Sequence, residues 1–108
     1  MKGSPCEILI PLADNDGREF PPEVFVEIKK AFDRQFGGYT VLGIVEGSWQ
    51  GQVEQLLRIQ VVVPKKRIKE LRTVVIAIGR RLGQKAMYFN PQAPTAEIIP
   101  IKDDDKSQ

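Results

Sequence analysis

The stretch that decides the fold is YTVLGIVEGSWQGQVEQLLRIQVVV, which spans residues 39–63. Its first eight residues are rich in β-branched side chains and predict a strand. Residues 47–51 contain two glycines and predict the connection of a hairpin. Residues 53–63 then alternate, and one face of this second strand carries Leu57, Ile59, Val61 and Val63. We therefore expect an antiparallel hairpin at the centre of a sheet.

A helical pattern lies on each side of this hairpin. The first helix is expected to begin near Pro22 and to end at Gly37-Gly38, because proline suits a first turn and glycine a left-handed stop. The second is expected over residues 65–82, where one apolar stripe has spacings of 3 and 4 and contains Ile68, Leu71, Val75, Ile78 and Leu82. Further strands are predicted at residues 6–12 and 85–90. The order β-α-β-β-α-β predicts an α+β fold of the ferredoxin-like type, an antiparallel sheet with two helices on one face.

A length of 108 residues suits one domain. We expect a flexible N-terminus over residues 1–5, a single ferredoxin-like domain over 6–101 and a disordered acidic tail over 102–108. An additional C-terminal edge strand is an option at residues 97–101, where an edge position tolerates Pro100. One cysteine, no secretory leader and no long apolar run favour a cytoplasmic protein that does not contact a membrane.

The face of the sheet opposite the helices lacks a predicted cover. Alternate strand positions such as Leu42, Ile44 and Val62 would leave that face apolar, and large apolar patches are typical of interfaces. We therefore expect a homodimer or a higher homo-oligomer, formed by packing of sheet against sheet.

Charge is distributed unevenly along the chain. Residues 65–85 contain eight bases and one acid, which is +7, whereas the remainder contains eight bases and thirteen acids, which is −5. On the second helix Lys66, Lys69 and Arg80 are expected to point outward and form a candidate surface for an anion or a nucleic acid. Thr73 and Ala77 interrupt this charge, and the aromatic pattern of RNA-recognition sheets does not occur. A solvated helix face is therefore the favoured interpretation over nucleic-acid binding.

The hairpin connection contains the only tryptophan, Trp49, between two glycines. Its flat surface could anchor a ligand or a partner protein, and the alternative is that it folds back over the edge of the core. Five polar residues at the ends of predicted elements are candidates to accompany it. The candidate ligand-binding set is Trp49, Tyr39, Thr40, Glu46, Gln84 and Tyr88.

The chain lacks most of the residue types that familiar catalytic and metal-binding sites use. The chain has no histidine and one cysteine, so Cys6 has no imidazole to activate it and a zinc site is not expected. Asp14-Asn15-Asp16-Gly17 resembles a calcium loop, but its twelfth position is Phe25 and not a glutamate, so we interpret it as a turn. We predict no metal site and no cofactor.

Three short motifs carry a resemblance to a known set of proteins. They are Phe36-Gly37-Gly38-Tyr39-Thr40, then Gly47-Ser48-Trp49, then Leu82-Gly83-Gln84 after the second helix. In these motifs the chain resembles small uncharacterised bacterial proteins that share FGGxT, GxW and LGQ, over roughly residues 6–101. The resemblance implies a ferredoxin-like fold and carries no assigned chemistry. It singles out Thr40, Trp49 and Gln84, because turn formation explains the glycines but not these residues.

Three classes of function therefore stand. A small binding or regulatory module is favoured, oligomeric and with a ligand or partner site near the Trp49 hairpin. The first alternative is a metal-independent small-molecule enzyme of the dimeric α+β barrel type, in which two such sheets pack together. The second is nucleic-acid binding through the basic helix.

Overall fold

The structure is a computed structural model that describes residues 3–91 and 97–102. The strands are β1 (Ser4–Pro11), β2 (Thr40–Trp49), β3 (Gln52–Val63), β4 (Ala86–Asn90) and β5 (Glu97–Pro100). The helices are α1 (Pro22–Phe36) and α2 (Ile68–Arg81), and a 3₁₀ turn over Lys65–Arg67 precedes α2. The predicted α+β fold, with an antiparallel sheet and two helices, is confirmed. No described helix has both the length and the apolar character that crossing a membrane requires.

The sheet has the order β2-β3-β1-β4-β5, and every neighbouring pair is antiparallel. Each helix therefore connects two strands that are separated by a third strand. β5 pairs with β4, so the optional C-terminal strand is present and the sheet has one strand more than a four-stranded ferredoxin-like sheet. The hairpin of β2 and β3 is also present, but it is not central, because β2 forms an edge of the sheet.

One face of the sheet and both helices share a single core. The strands contribute the predicted apolar face of β3 together with Ile8 of β1 and Phe89 of β4, which are neighbours across the strands. The large apolar side chains that the helices bury are Ile28, Phe32, Phe36, Leu71, Val75 and Ile78, and Leu82 follows α2. Ile68 is only partly buried and packs against this core. The predicted stripe of the second helix is thus its inner face.

A bulge in β2 changes the predicted outer face of the sheet. Val41 opposes Ile59 and Gly43 opposes Arg58, so Leu42 is an extra residue between two registers. Gly43 has a φ of 126°, which residues with a side chain rarely adopt. Ile44 consequently opposes Leu57 on the helix side, whereas Val62 lies on the other side. The expectation that Leu42, Ile44 and Val62 share one uncovered face is therefore wrong.

The ends of the predicted domain also differ from expectation. β1 begins at Ser4, and Ser4 and Pro5 oppose Val63 and Val62, so these two residues lie in the sheet. At the other end, the carbonyl of Lys102 accepts a hydrogen bond of 2.9 Å from Nε of Arg80. The remainder of the predicted tail, residues 103–108, lies outside the described residues.

The lone cysteine lies in the core. Cys6 opposes Val61 in the sheet and has no exposed surface. Burial raises the pKa of its thiol from an ordinary value of 9.0 to about 11, because the apolar surroundings disfavour the thiolate. A raised pKa and an inaccessible sulfur make an unreactive thiol, which agrees with a structural role.

We expect the Cys6 thiol to make stability depend on pH in the alkaline range. Below pH 9 the thiol is neutral in both the folded and the unfolded state. Above pH 9 the thiol ionises in the unfolded chain but stays neutral in the folded protein. The free energy of unfolding therefore falls by about 1.4 kcal/mol per pH unit until the pKa of the folded state is reached. The measurement is urea unfolding between pH 8.5 and 10.5, with Cys6→Ala as the control that lacks this titration. Parallel pH dependences of the two proteins would contradict the assignment.

Arg67 connects the end of α1 to the start of α2. Its Nη2 donates to the backbone carbonyl of Gln35 at 2.6 Å, and its guanidinium lies 4.9 Å from the ring centroid of Phe36. Nε and Nη2 also donate to the two carboxylate oxygens of Glu70, at 3.0 and 2.7 Å. These hydrogen bonds lower the pKa of Glu70. Arg67 thus holds three neighbouring groups in one arrangement.

Replacing Arg67 by alanine is expected to lower the Tm by on the order of 5 °C, because the carbonyl, the ring and the carboxylate lose a shared partner. Lys66→Ala is the matched control, since Lys66 is exposed on the same turn. The difference in Tm between the Arg67→Ala and Lys66→Ala variants should become smaller as the pH falls through the lowered pKa of Glu70, because the carboxylate then becomes neutral. Equal Tm values for the two variants in thermal unfolding would contradict the connecting role.

Candidate functional site

An open cleft of about 800 Å³ lies at the end of the sheet where β1 stops. Because neighbouring strands are antiparallel, this end gathers the last residues of β1 and β2 and the first residues of β3 and β4. The β1–α1 loop and the connection from α2 to β4 complete its walls. Concave sites of this size are the ordinary setting for small-molecule binding.

Part of the cleft lining is the outer face of the sheet, opposite the helices, and the apolar area of that part is called the apolar floor below. Leu9 lies between Arg58 and Tyr88, and Leu56 lies between Pro11 and Val45. Leu56 is only 8% exposed although it does not belong to the core beneath the helices. The outer face therefore has an apolar area of its own at this end of the sheet.

The distal half of the β2–β3 hairpin forms one wall. Pairing of β1 with β3 ends at Leu56, so residues 52–55 extend beyond β1, apart from one hydrogen bond from the Leu12 amide to the Gln55 carbonyl. Gln50 and Gly51 have φ values of 51° and 83°, as a two-residue turn with two left-handed positions requires. Trp49, the last residue of β2, is 46% exposed and lines the cleft.

The β1–α1 loop forms the facing wall and is held by its own hydrogen bonds. Oδ1 of Asp14 accepts from the amides of Asp16 at 2.9 Å and Arg18 at 2.8 Å. Nδ2 of Asn15 donates to the carbonyl of Gly83 at 3.3 Å and so connects this loop to the start of the α2–β4 connection. The structure thus has a turn at the predicted place, and Asp14 and Asp16 accept hydrogen bonds from other residues of this loop.

Most charged side chains of the cleft are acidic. Asp14, Glu19 and Glu54 line it, against Lys85 on the opposite connection. Glu54 lies on β3, two residues before Leu56 and opposite Gly47, and is half-buried. Within residues 3–91 and 97–102, no group forms a hydrogen bond or an ion pair with its carboxylate. The same ranges contain no group of three or more His, Cys, Asp or Glu residues that could hold a metal ion.

Half of the predicted ligand-binding set lines this cleft. Trp49, Gln84 and Tyr88 do so, from three different elements. Tyr39 and Thr40 lie at the opposite end of β2, about 30 Å from Trp49 along an extended strand. Glu46 opposes Gln55, on the other side of the hairpin from the apolar floor. The structure therefore brings three of the six residues together and places the other three elsewhere.

The residues of the cleft that were not predicted include Leu9, Leu56, Glu54 and Lys85, which contribute to its apolar floor and its charge. A signal for Leu56 was present, because Leu56-Leu57 breaks the alternation of β3 and places an apolar side chain on each face. Glu54 and Lys85 had no such signal, since isolated charged residues next to a turn are common on any surface.

The basic surface formed by Lys66, Lys69 and Arg80 follows the length of α2. All three side chains are exposed, and about 20 Å separates its ends at the rise of a helix. Neighbouring bases are engaged in ion pairs, Arg67 with Glu70 and Arg81 with Glu27. Arg80 itself donates to the carbonyl of Lys102. Nucleic-acid binding by this surface stays a prediction.

Comparison with known proteins identifies a shared fold. No protein-family model matches the chain, and no curated protein matches it. Its structure is similar to that of a phage SAM lyase in complex with S-methyl-5'-thioadenosine, with a TM-score of 0.62 and 14% sequence identity. The likeness covers 91% of this chain and 89% of the lyase chain. At this identity the two proteins share a fold.

Proposed function

We propose that this protein binds a small molecule in the cleft between the β2–β3 hairpin and the β1–α1 loop. The observation that carries the proposal is the composition of the cleft, which combines an apolar floor and two aromatic residues with a rim of polar and charged side chains. Ligand sites are typically built in this way, since apolar contact supplies affinity and convergent polar groups supply orientation. A binding or regulatory module remains the favoured class.

The ligand that fits this composition has a flat ring and a short apolar substituent, as a 5'-thioadenosine does. Trp49 offers a ring face for stacking, and Leu9 and Leu56 offer apolar contact. Support comes from the phage SAM lyase of the same fold, which was solved with S-methyl-5'-thioadenosine. A cleavage activity on such compounds is the second candidate function, favoured by that likeness to a lyase.

We also propose that the first four strands form a ferredoxin-like arrangement, which β5 extends.

Titration with S-methyl-5'-thioadenosine is expected to quench the fluorescence of Trp49, because stacking on the indole changes its surroundings. In calorimetry, Trp49→Ala should weaken binding at least about tenfold, as loss of an aromatic anchor usually does. Thr40→Ala is the matched control, since Thr40 lies on the same strand at the far end. Unchanged affinity of Trp49→Ala would refute this placement of the ligand, and a product detected by chromatography would favour the lyase-type function.

We propose further that the protein is a homodimer or a higher homo-oligomer through the free edge of β2. In the sheet β2 has a neighbour on one side only, and its Val41, Leu42 and Ile44 are 41, 40 and 61% exposed. Strand edges with exposed apolar side chains pair readily with another chain. A second copy is the partner that is always present at equal concentration.

Sedimentation velocity tests this association. The protein is expected to sediment as an oligomer and Ile44→Lys as a monomer, because an edge lysine opposes pairing and burial of the edge. Val26→Lys, at an exposed apolar position of α1, is the matched control and should leave the oligomer intact. A monomeric wild-type protein at high micromolar concentration would exclude the proposal.

A further inference from the structure

Among the described residues that line the cleft, Glu54 is the only half-buried acid whose carboxylate has no hydrogen bond or ion pair. Asp14 is occupied by the amides of its loop and lies 3.6 Å from Nε of Arg18. Glu19 is exposed on the same loop and pairs through its backbone with Ala13. Glu54, by contrast, is half-buried on a strand, and among the described residues no donor or cation contacts its carboxylate.

The surroundings of Glu54 keep this carboxylate open to the cleft. Its neighbour across the hairpin is Gly47, which has no side chain to cover it. A Cβ at position 47 would lie 2.8 Å from Cδ1 of Leu56, so the hairpin backbone passes close to the apolar floor at this point. By strand alternation, Glu54, Leu56 and Trp49 all belong to the outer face. An unpaired charge therefore adjoins the apolar and aromatic part of the cleft.

A cationic group on a ligand that reaches Glu54 would form a charge pair with this carboxylate. Apolar and aromatic walls exclude water and so strengthen the attraction between such a pair. A phosphate at the same position would meet the like charge of Glu54, with Lys85 as the only basic residue that lines the cleft among the described residues. The carboxylate of Glu54 therefore favours a cationic group and disfavours an anionic group at this position of the ligand.

We propose that the cleft selects a ligand with a positively charged group next to its flat ring, and that Glu54 is the residue that determines this specificity. The inference rests on the proposed function, since it concerns the same cleft. Trp49 and the apolar floor hold the uncharged part of the ligand, and Glu54 pairs with the cation. Phosphorylated nucleosides are disfavoured by the same carboxylate.

Three probes that share adenosine and differ in charge at the 5' position test this selectivity. They are 5'-amino-5'-deoxyadenosine, which is cationic at pH 7, S-methyl-5'-thioadenosine, which is neutral, and adenosine 5'-monophosphate, which is anionic. By calorimetry we expect the cationic probe to bind at least about tenfold more tightly than the neutral one, and the anionic probe to bind most weakly. The preference should shrink at high salt, because screening weakens charge pairs.

Glu54→Gln keeps the shape of the side chain and removes its charge. It should bind the neutral probe as the wild type does and lose the tenfold preference for the cationic probe. Glu46→Gln is the matched control, since Glu46 lies on the same hairpin but does not line the cleft and should leave the preference unchanged. Circular dichroism confirms that each variant is folded.

The two proposals fail in different ways. Equal binding of the cationic and neutral probes, or a preference retained in Glu54→Gln, overturns the role of Glu54 and leaves small-molecule binding intact. Failure of all three probes to bind the folded wild-type protein overturns the adenosine-type ligand of the proposed function and this inference with it.

Discussion

Burial of one face of the sheet beneath α1 and α2 is the constraint on which the rest of the structure depends. Ile8, Ile59 and Phe89 oppose one another across β3, β1 and β4, and the inner stripes of both helices cover this row. Since side chains alternate along a strand, the same pairing places Leu9, Arg58 and Tyr88 in a row on the opposite face. Within the described residues no helix covers that row, so the outer face is open for binding.

The cleft follows from a mismatch in strand length. β3 has 12 residues whereas β1 has 8, so the β2–β3 hairpin extends past the end of β1 and leaves space beside it. The β1–α1 loop lies on the other side of that space, where Asn15 connects it to Gly83. A site of this kind is built by loops at the end of a rigid sheet, which is a common way for a small fold to acquire binding specificity. The polar side chains of the cleft therefore lie on loops and strand ends and not in the hydrophobic core.

Local patterns in the sequence predicted most of the fold. Spacings of 3 and 4 residues marked the inner face of α2, and alternation marked that of β3, because both patterns reflect burial on one side of an element. The bulge at Leu42 was not predicted, since Gly43 can occupy regular or unusual backbone conformations and only pairing with β3 decides between them.

Prediction of the site was less complete than prediction of the fold. Trp49, Gln84 and Tyr88 line one cleft, but Tyr39 and Thr40 lie at the far end of β2, because residues at the two ends of a strand cannot meet.

By itself the sequence determined the order of the elements, the apolar faces that form the core and the lack of an imidazole that could activate Cys6. These properties depend on residue type and on spacing within one element, which short-range physics settles. Tertiary structure alone decided which strand forms the edge, on which face Ile44 lies and which polar residues adjoin the apolar floor. Each of these depends on pairing between residues far apart in the chain. Glu54 shows the difference: in the sequence it is one acid among many, and only the fold places it beside Leu56 and opposite Gly47.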